Sequence, residues 1–353
     1  MMLSEFNLSF FIIFSLVSFF LTFLIVKYSK HFFFGILLDE DFLKPQAFHK
    51  KPVARSGGLA ILLLFFLFIV FYFFIFDIFL NDYLTVSLLL FTLGFLDDLK
   101  IKIKPNIRLA LMLILLVFCM NIFSIQITRS GLEFLDLWLE NNIFQICFVL
   151  LCFLFIINGA NLVDGFNGLL GIHFLLINSI FLVINLFGQN VSLSIILSAQ
   201  IITVLSFLLF NFPKAKIFLG DGGSYLLGSL IVLNTIKTYE LNTDISPFFF
   251  AGVLFYLFYE VLFSFIRKVK LKKSPLKPDK YHLHMMLYNW LLNVKKIKNS
   301  NYLTSVIINF CYLFLQIPLF YFQNNGLISR YWFFSSITIY TIIYFRLYSF
   351  SKK

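Results

Sequence analysis

Charge is the scarcest feature of this chain: Asp, Glu, Lys and Arg together make up 13% of its 353 residues, against 60% hydrophobic. So few charged side chains cannot clothe a water-soluble domain, which excludes a soluble enzyme and leaves no footing for a nucleic-acid partner. Acid is rarer than base, 17 residues against 28, giving a net charge of +11. Cysteine is limited to Cys119, Cys147, Cys152 and Cys311, each inside an apolar run at scattered spacing. That pattern fits neither a zinc site nor a disulfide framework, and the four read as packing residues. The first apolar run, Leu8 to Val26, is too long for a signal-peptide core and lacks a small-residue cleavage site, so it reads as a retained span. Linkers, internal repeats and a separate soluble domain are missing too. The 52 Phe are a compositional bias from which no function follows.

What is present is a succession of eleven apolar runs, at 7–27, 57–80, 83–96, 107–126, 143–160, 168–187, 191–210, 224–239, 247–266, 302–322 and 331–347. Each is close to the ~20 residues that cross a bilayer as a helix. The third and eighth are the weakest, the third because it is short and ends at Asp97-Asp98, the eighth because it carries Lys237. The sequence predicts an all-α, polytopic helical integral membrane protein of about 10–11 transmembrane helices, one membrane domain over the whole chain. Of the 28 Lys and Arg, 25 fall in alternate loops, on the same side as residues 27–56; only Arg129, Lys237 and Arg330 lie opposite. By the positive-inside rule the N-terminus is outside and the C-terminus cytoplasmic.

Every polar cluster with chemical character falls on that cytoplasmic side. The densest runs from Asn158 to Leu170, where Asn158, Asn161, Asp164 and Asn167 alternate with Gly159, Gly165 and Gly168 between two apolar runs. A connector needs about two turn residues, and further polar groups at membrane depth are costly unless they line a cavity or site. This stretch reads as the floor of an active site. Ahead of the second run stand His49, Lys50, Lys51 and Arg55, followed by Gly57-Gly58: either a basic anchor at the interface or a phosphate cradle at a helix N-terminus. Asp97 and Asp98 close the third run. Acids are unfavourable at a helix C-terminus and repel each other, a cost relieved by a divalent cation or by cations such as Lys100 and Arg108. Asp221, with Gly222, Gly223 and Ser224 after it, suits either a helix cap or a metal ligand beside a phosphate. Asp279, His282 and His284 lie in the longest cytoplasmic loop; the His pair alone is too sparse for a metal site. His31 and His173 lack polar company and read as structural. Asp97, Asp98, Asp164 and Asp221 together offer hard oxygen ligands for Mg²⁺, or alternatively Mn²⁺. With the surrounding cations they indicate phosphoryl-type transfer involving a lipid.

These five clusters, in this order over about residues 45–290, resemble the polyprenyl-phosphate N-acetylhexosamine-1-phosphate transferases, glycosyltransferase family 4. The family's Asn-x-x-Asp-Gly-x-Asp-Gly-Leu matches Asn161 to Leu169, its Gly-Asp-x-Gly-Ser matches Gly220 to Ser224, and its aspartate pair matches Asp97-Asp98. The resemblance implies a bacterial cytoplasmic-membrane enzyme that moves N-acetylhexosamine-1-phosphate from a UDP-N-acetylhexosamine to undecaprenyl phosphate. The products are undecaprenyl-diphosphate-sugar and UMP, the start of a cell-surface polysaccharide. It implies Asp221 as Mg²⁺ ligand and Phe218 against the uracil, with Asn161, Asp164 and Asn167 at the nucleotide sugar. Asp97 and Asp98 would serve the lipid phosphate or the metal, and Lys50, Arg55, His282 and His284 the phosphates.

This chain departs from the family in having Asn167 for an Asp, Met285 for a third His, and Ala54 where many members have Pro. The pattern Pro278 to His284 resembles the N-acetylglucosamine branch; the alternatives are phospho-N-acetylmuramoyl-pentapeptide transferase and, in another class, a membrane transporter. Glu260, deep in the ninth run, is either a family acidic position or a packed, protonated acid. The sequence does not decide between a monomer and a homodimer.

Overall fold

The computed structural model describes residues 2–40, 52–101, 103–275, 277 and 279–351. Its helices are α1 (Met2–Tyr28), α2 (Gly57–Phe76), α3 (Asn81–Asp98), α4 (Pro105–Phe123), α5 (Glu133–Leu139), α6 (Asn142–Val163), α7 (Leu169–Phe187), α8 (Val191–Asn211), α9 (Gly220–Leu241), α10 (Pro247–Lys270), α11 (Leu283–Asn289), α12 (Ser300–Tyr321) and α13 (Gly326–Ser351). Setting aside the short α5 and α11, the long helices coincide with the eleven apolar runs. Eight of them are long and apolar enough to cross a membrane by length and composition: α1, α2, α4, α6, α7, α8, α10 and α12. Side chains such as Leu8, Ile13, Phe20, Ile114 and Phe310, more than half exposed, suit a lipid surface.

The polar character of α9 has a structural reason. This helix packs against α2, α3, α6, α7, α8 and α10, and nearly every side chain from Gly222 to Tyr239 is buried. Protein rather than lipid surrounds it, so its polar groups can be answered by neighbours. Asn234 is an example: its amide donates to Gln200 Oε1 at 2.6 Å and to Asn178 Oδ1 at 3.1 Å, while its Oδ1 accepts from the Tyr83 hydroxyl at 2.9 Å. Buried polar groups are tolerated when paired in this way.

Two close backbone approaches fix one end of α9. A Cβ added to Gly58 in α2 would lie 2.5 Å from the Cα of Gly223, and one added to Gly94 in α3 would lie 2.4 Å from the carbonyl oxygen of Asp221. Only glycine permits such contact between helix backbones. A short hairpin, β1 (Leu38–Asp39) paired antiparallel with β2 (Val53–Ala54), is joined by a parallel bridge from Ala54 to Ile217. The backbone N–H groups of Gly57 and Gly58, unsatisfied within α2, donate at 2.8 Å to the carbonyls of Phe218 and Leu219. The chain entering α9 is thereby tied to the start of α2.

Candidate active site

The aspartate pair at the end of α3 meets the start of α9. Asp98 is 3% exposed, and its carboxylate accepts from the backbone N–H groups of Asp221 at 3.0 Å and Gly222 at 2.9 Å. A carboxylate is favourable at a helix N-terminus, where unpaired amides and the helix dipole converge. The acid that is misplaced at the end of its own helix thus caps the next one. Gly220, at φ +81°, makes the turn that allows this; a Cβ there would strike the Asp98 carboxylate. Sequence reading placed the start of this helix at residue 224. The structure begins it at Gly220, so Asp221 occupies the first turn, with its side chain 31% exposed.

Two guanidinium groups lie among the carboxylates. Arg108, at the start of α4, pairs with Asp97 and approaches Asp221 Oδ2 at 3.6 Å. Arg55 holds Asp39 with two bonds, 2.7 and 3.1 Å, and reaches Asp98 at 3.5 Å. Burial alone would lower the pKa of Arg55, but Asp221, Asp39 and Asp98 raise it overall, so the group stays charged. Asp164, just past the end of α6, feels Arg55 more weakly than it feels burial and Asp221. Burial first, then repulsion from Asp221, pushes its carboxyl up to about 8, with Arg55 opposing.

The remaining predicted residues surround this centre. Asn161 in α6 donates to the Ser224 hydroxyl at 2.9 Å, which donates to the carbonyl of Asp221 at 3.0 Å; this braces the first turn of α9. The Asn167 amide donates to the Pro213 carbonyl at 3.0 Å, and its own N–H donates to Asn301 at 3.0 Å. Phe218 is half-buried beside β2, its N–H donating to the Ala54 carbonyl. His284 faces the Asp164 loop: a Cβ on Gly165 would be 3.8 Å from its Nε2, and its ring lies edge-on to Phe166. Burial lowers its pKa to about 4 against the pull of Glu260, so it is neutral at pH 7. The His282 ring stacks on it with centroids 5.5 Å apart, and His282 Nδ1 lies 2.9 Å from Glu260 Oε1. His173 is buried against Asn309, at 3.1 Å, inside the helix bundle. Lys50, with His49 and Lys51, lies outside the described residues.

The structure therefore gathers Asp97, Asp98, Asp164, Asp221, Arg55 and Asn161 around the start of α9, with His284 beside Gly165, the residue after Asp164. Sequence reading missed Asp39, which has no motif around it, and gave Arg108 no role beyond neutralising charge. It also missed Tyr340, whose hydroxyl donates to Glu260 at 2.6 Å; its signal was the four-residue spacing of Tyr340, Tyr344 and Tyr348. Among the described residues no cluster of three or more His, Cys, Asp or Glu forms a metal cage. Mg²⁺ does not need one, since it is commonly held by one or two carboxylates, waters and substrate phosphates. Among the described residues, Asp97, Asp98, Asp164 and Asp221 converge here with Arg55 and Arg108, and that set of hard oxygen donors fits a divalent cation.

Residues 80–239 match the family described as glycosyl transferase family 4. An undecaprenyl-phosphate alpha-N-acetylglucosaminyl 1-phosphate transferase from Thermotoga maritima is 30% identical over 270 residues, covering 76% of this chain and 78% of that protein. A probable undecaprenyl-phosphate N-acetylglucosaminyl 1-phosphate transferase from Bacillus subtilis is 30% identical over 253 residues, 68% of this chain and 66% of that protein. A phospho-N-acetylmuramoyl-pentapeptide-transferase from Dictyoglomus turgidum is 29% identical over 290 residues, 78% and 89% of the two chains. With a relative of this identity matched over most of both chains, and with the shared motifs gathered at one end of a central helix, this chain belongs to glycosyl transferase family 4.

Proposed function

We propose that the protein transfers N-acetylhexosamine-1-phosphate from a UDP-N-acetylhexosamine, of the N-acetylglucosamine type, to undecaprenyl phosphate, with Mg²⁺ as cofactor. The observation that carries this reading is the start of α9: Asp221 stands partly exposed in the first turn, between Asp97, Asp164, Arg55 and Arg108, on the side that carries the basic loops. Bound at Asp221, with Asp97 and Asp164 nearby, a divalent cation would neutralise the diphosphate of the donor. Asp164, whose carboxyl is raised by burial and by Asp221, would have its charged form favoured by a cation held there.

The chain's own groups do the positioning. Arg55 and Arg108 hold phosphate oxygens and spread the charge that develops as an oxygen of the lipid phosphate attacks the β-phosphorus. The bond from that phosphorus to the bridging oxygen breaks, and UMP leaves with the electron pair. The lipid phosphate, with a second pKa of about 6, is mostly dianionic at pH 7 and needs no strong base. Asp97 orients it or takes its last proton. Asp98 has both oxygens committed to backbone amides and is poorly placed to form an aspartyl-phosphate, which favours direct attack over a covalent intermediate. His284, neutral and facing the Asp164 loop, donates a hydrogen bond to a donor phosphate or hydroxyl.

The transporter reading calls for unsatisfied or ion-binding groups at mid-membrane depth. The mid-helix cluster of Asn178, Gln200 and Asn234 is internally paired and fits a structural role instead. The test is UMP release from a panel of UDP-sugars by purified protein supplied with undecaprenyl phosphate and Mg²⁺. One UDP-N-acetylhexosamine should support release and yield a lipid diphosphate-sugar of matching mass. Labelled phospho-sugar trapped on the protein without lipid would overturn direct attack.

A further inference from the structure

Helix α13 follows the last cytoplasmic motif and lies beyond the family match, yet it reaches the His282–His284 segment. Tyr340, Tyr344 and Tyr348 recur every fourth residue and share one face of the helix. Their rings stack in succession, with centroids 6.3 and 6.2 Å apart. Tyr340 and Tyr344 are almost wholly buried, and each aims its hydroxyl at the support of the histidine loop. The Tyr340 hydroxyl donates to Glu260 Oε2 at 2.6 Å, and the Tyr344 hydroxyl donates to the Tyr281 carbonyl at 2.9 Å. Tyr348 packs against the Tyr281 ring at 5.6 Å. The other oxygen of Glu260 accepts from Leu283 N at 3.2 Å and faces His282 Nδ1 at 2.9 Å. A carboxylate oxygen only accepts, so Nδ1 carries a proton there. Arg267, on α10 like Glu260, clamps Asp279 of the same loop with two bonds, 2.7 and 3.1 Å.

We propose that Tyr340 and Tyr344 of α13 are positioning residues for the transfer reaction, acting through Glu260 and the Tyr281 backbone to fix His282 and, stacked on it, His284. This rests on the transferase reading. A hydrogen-bonded partner behind a functional imidazole sets which ring nitrogen is protonated and where the ring points. Here that partner is a buried acid whose second oxygen is held by a tyrosine from the C-terminal helix. Without the Tyr340 hydroxyl, Glu260 Oε2 would have no bond from α13, and the carboxylate could rotate away from His282.

The test uses the full-length chain labelled with nitrogen-15 at its histidines, His282 being assigned by the signal lost in His282→Gln. The wild-type protein should show His282 protonated at Nδ1, and Tyr340→Phe should move that resonance. The same variant should lower kcat about tenfold while both KM values stay within about twofold, the size of effect seen when an outer partner of a functional histidine is removed. Added to His282→Gln, Tyr340→Phe should cause no further loss, because both changes break one chain of contacts. An unchanged His282 resonance in folded Tyr340→Phe, or fully additive losses, would overturn the proposal. If Tyr340→Phe does not fold, Tyr344→Phe carries the same measurements through the Tyr281 carbonyl. If the His282 resonance depends on Tyr340 but the wild-type chain releases no UMP, the transferase reading is contradicted, and what stands is the fixing of the His282 ring by Tyr340 through Glu260, without a role in transfer.

Discussion

Asp97 and Asp98 are neighbours in sequence but have different surroundings. The Asp98 carboxylate is buried on two backbone amides of α9, while Asp97 pairs with Arg108 and keeps some exposure. In Asp98→Asn, one amide-facing oxygen becomes an NH₂ group that opposes a backbone N–H. The loss of a charged hydrogen bond should cost about 2–3 kcal/mol, read as a lower thermal midpoint in detergent. Asp221→Asn, at a partly exposed carboxylate whose oxygens hold no backbone amide among the described residues, should lower that midpoint less than Asp98→Asn does and remove turnover. Equal thermal midpoints for the two variants would show that Asp98 does not brace the helix. Asn167 allows a similar argument. Its amide donates to the Pro213 carbonyl, and an aspartate there would set two acceptors against each other. Asn167→Asp should therefore lower stability by about 1–3 kcal/mol, although the family pattern has Asp at this position; an unchanged or raised midpoint would contradict the brace. Asp221, Asp97 and the His pair stood out in the sequence as candidates, because polar, titratable residues beside glycines, at helix ends or in loops are conspicuous in so apolar a chain. The role of Asp98 was not legible there, since the amides it caps lie more than 120 positions later.

At the scale of elements, the start of α9 is held by close backbone contact with α2 and α3. The Cβ of Gly94→Ala would meet the carbonyl group of Asp221, and that of Gly58→Ala the backbone of Gly223, so in neither case can a flexible side chain yield. Overpacking of this kind costs about 1–3 kcal/mol or more. Gly94→Ala, which pushes directly on Asp221, should also reduce UMP release at least tenfold in the protein that remains folded; wild-type activity would contradict the contact. The apolar runs anticipated the long helices because period and length are local properties. The start of α9 was misjudged because glycines 220, 222 and 223 look like a loop. In the structure they are the price of close packing against α2 and α3. The hairpin β1–β2 was invisible in the sequence, as its two-residue strands carry no periodicity and pair across a long insertion.

For the whole molecule, α9 is the axis and the candidate active centre lies at its first turn, while α10 and α13 hold the histidine loop. The distribution of basic residues predicts a cytoplasmic location for that end of α9. In a chain without its native cysteines, Asp136→Cys should react with a membrane-impermeant maleimide in intact cells, and Lys273→Cys only after permeabilisation. The reverse pattern would invert the orientation. The most direct measurement of the central claim is UMP release by purified protein with undecaprenyl phosphate and UDP-N-acetylglucosamine, for the wild type and for Asp221→Asn, each with Mg²⁺ and with EDTA. Release by the wild type that is abolished by EDTA, restored by Mg²⁺ and absent in Asp221→Asn at equal folded protein is the expected result. Release that survives EDTA, or that persists in Asp221→Asn, would contradict a metal-assisted transfer at the start of α9.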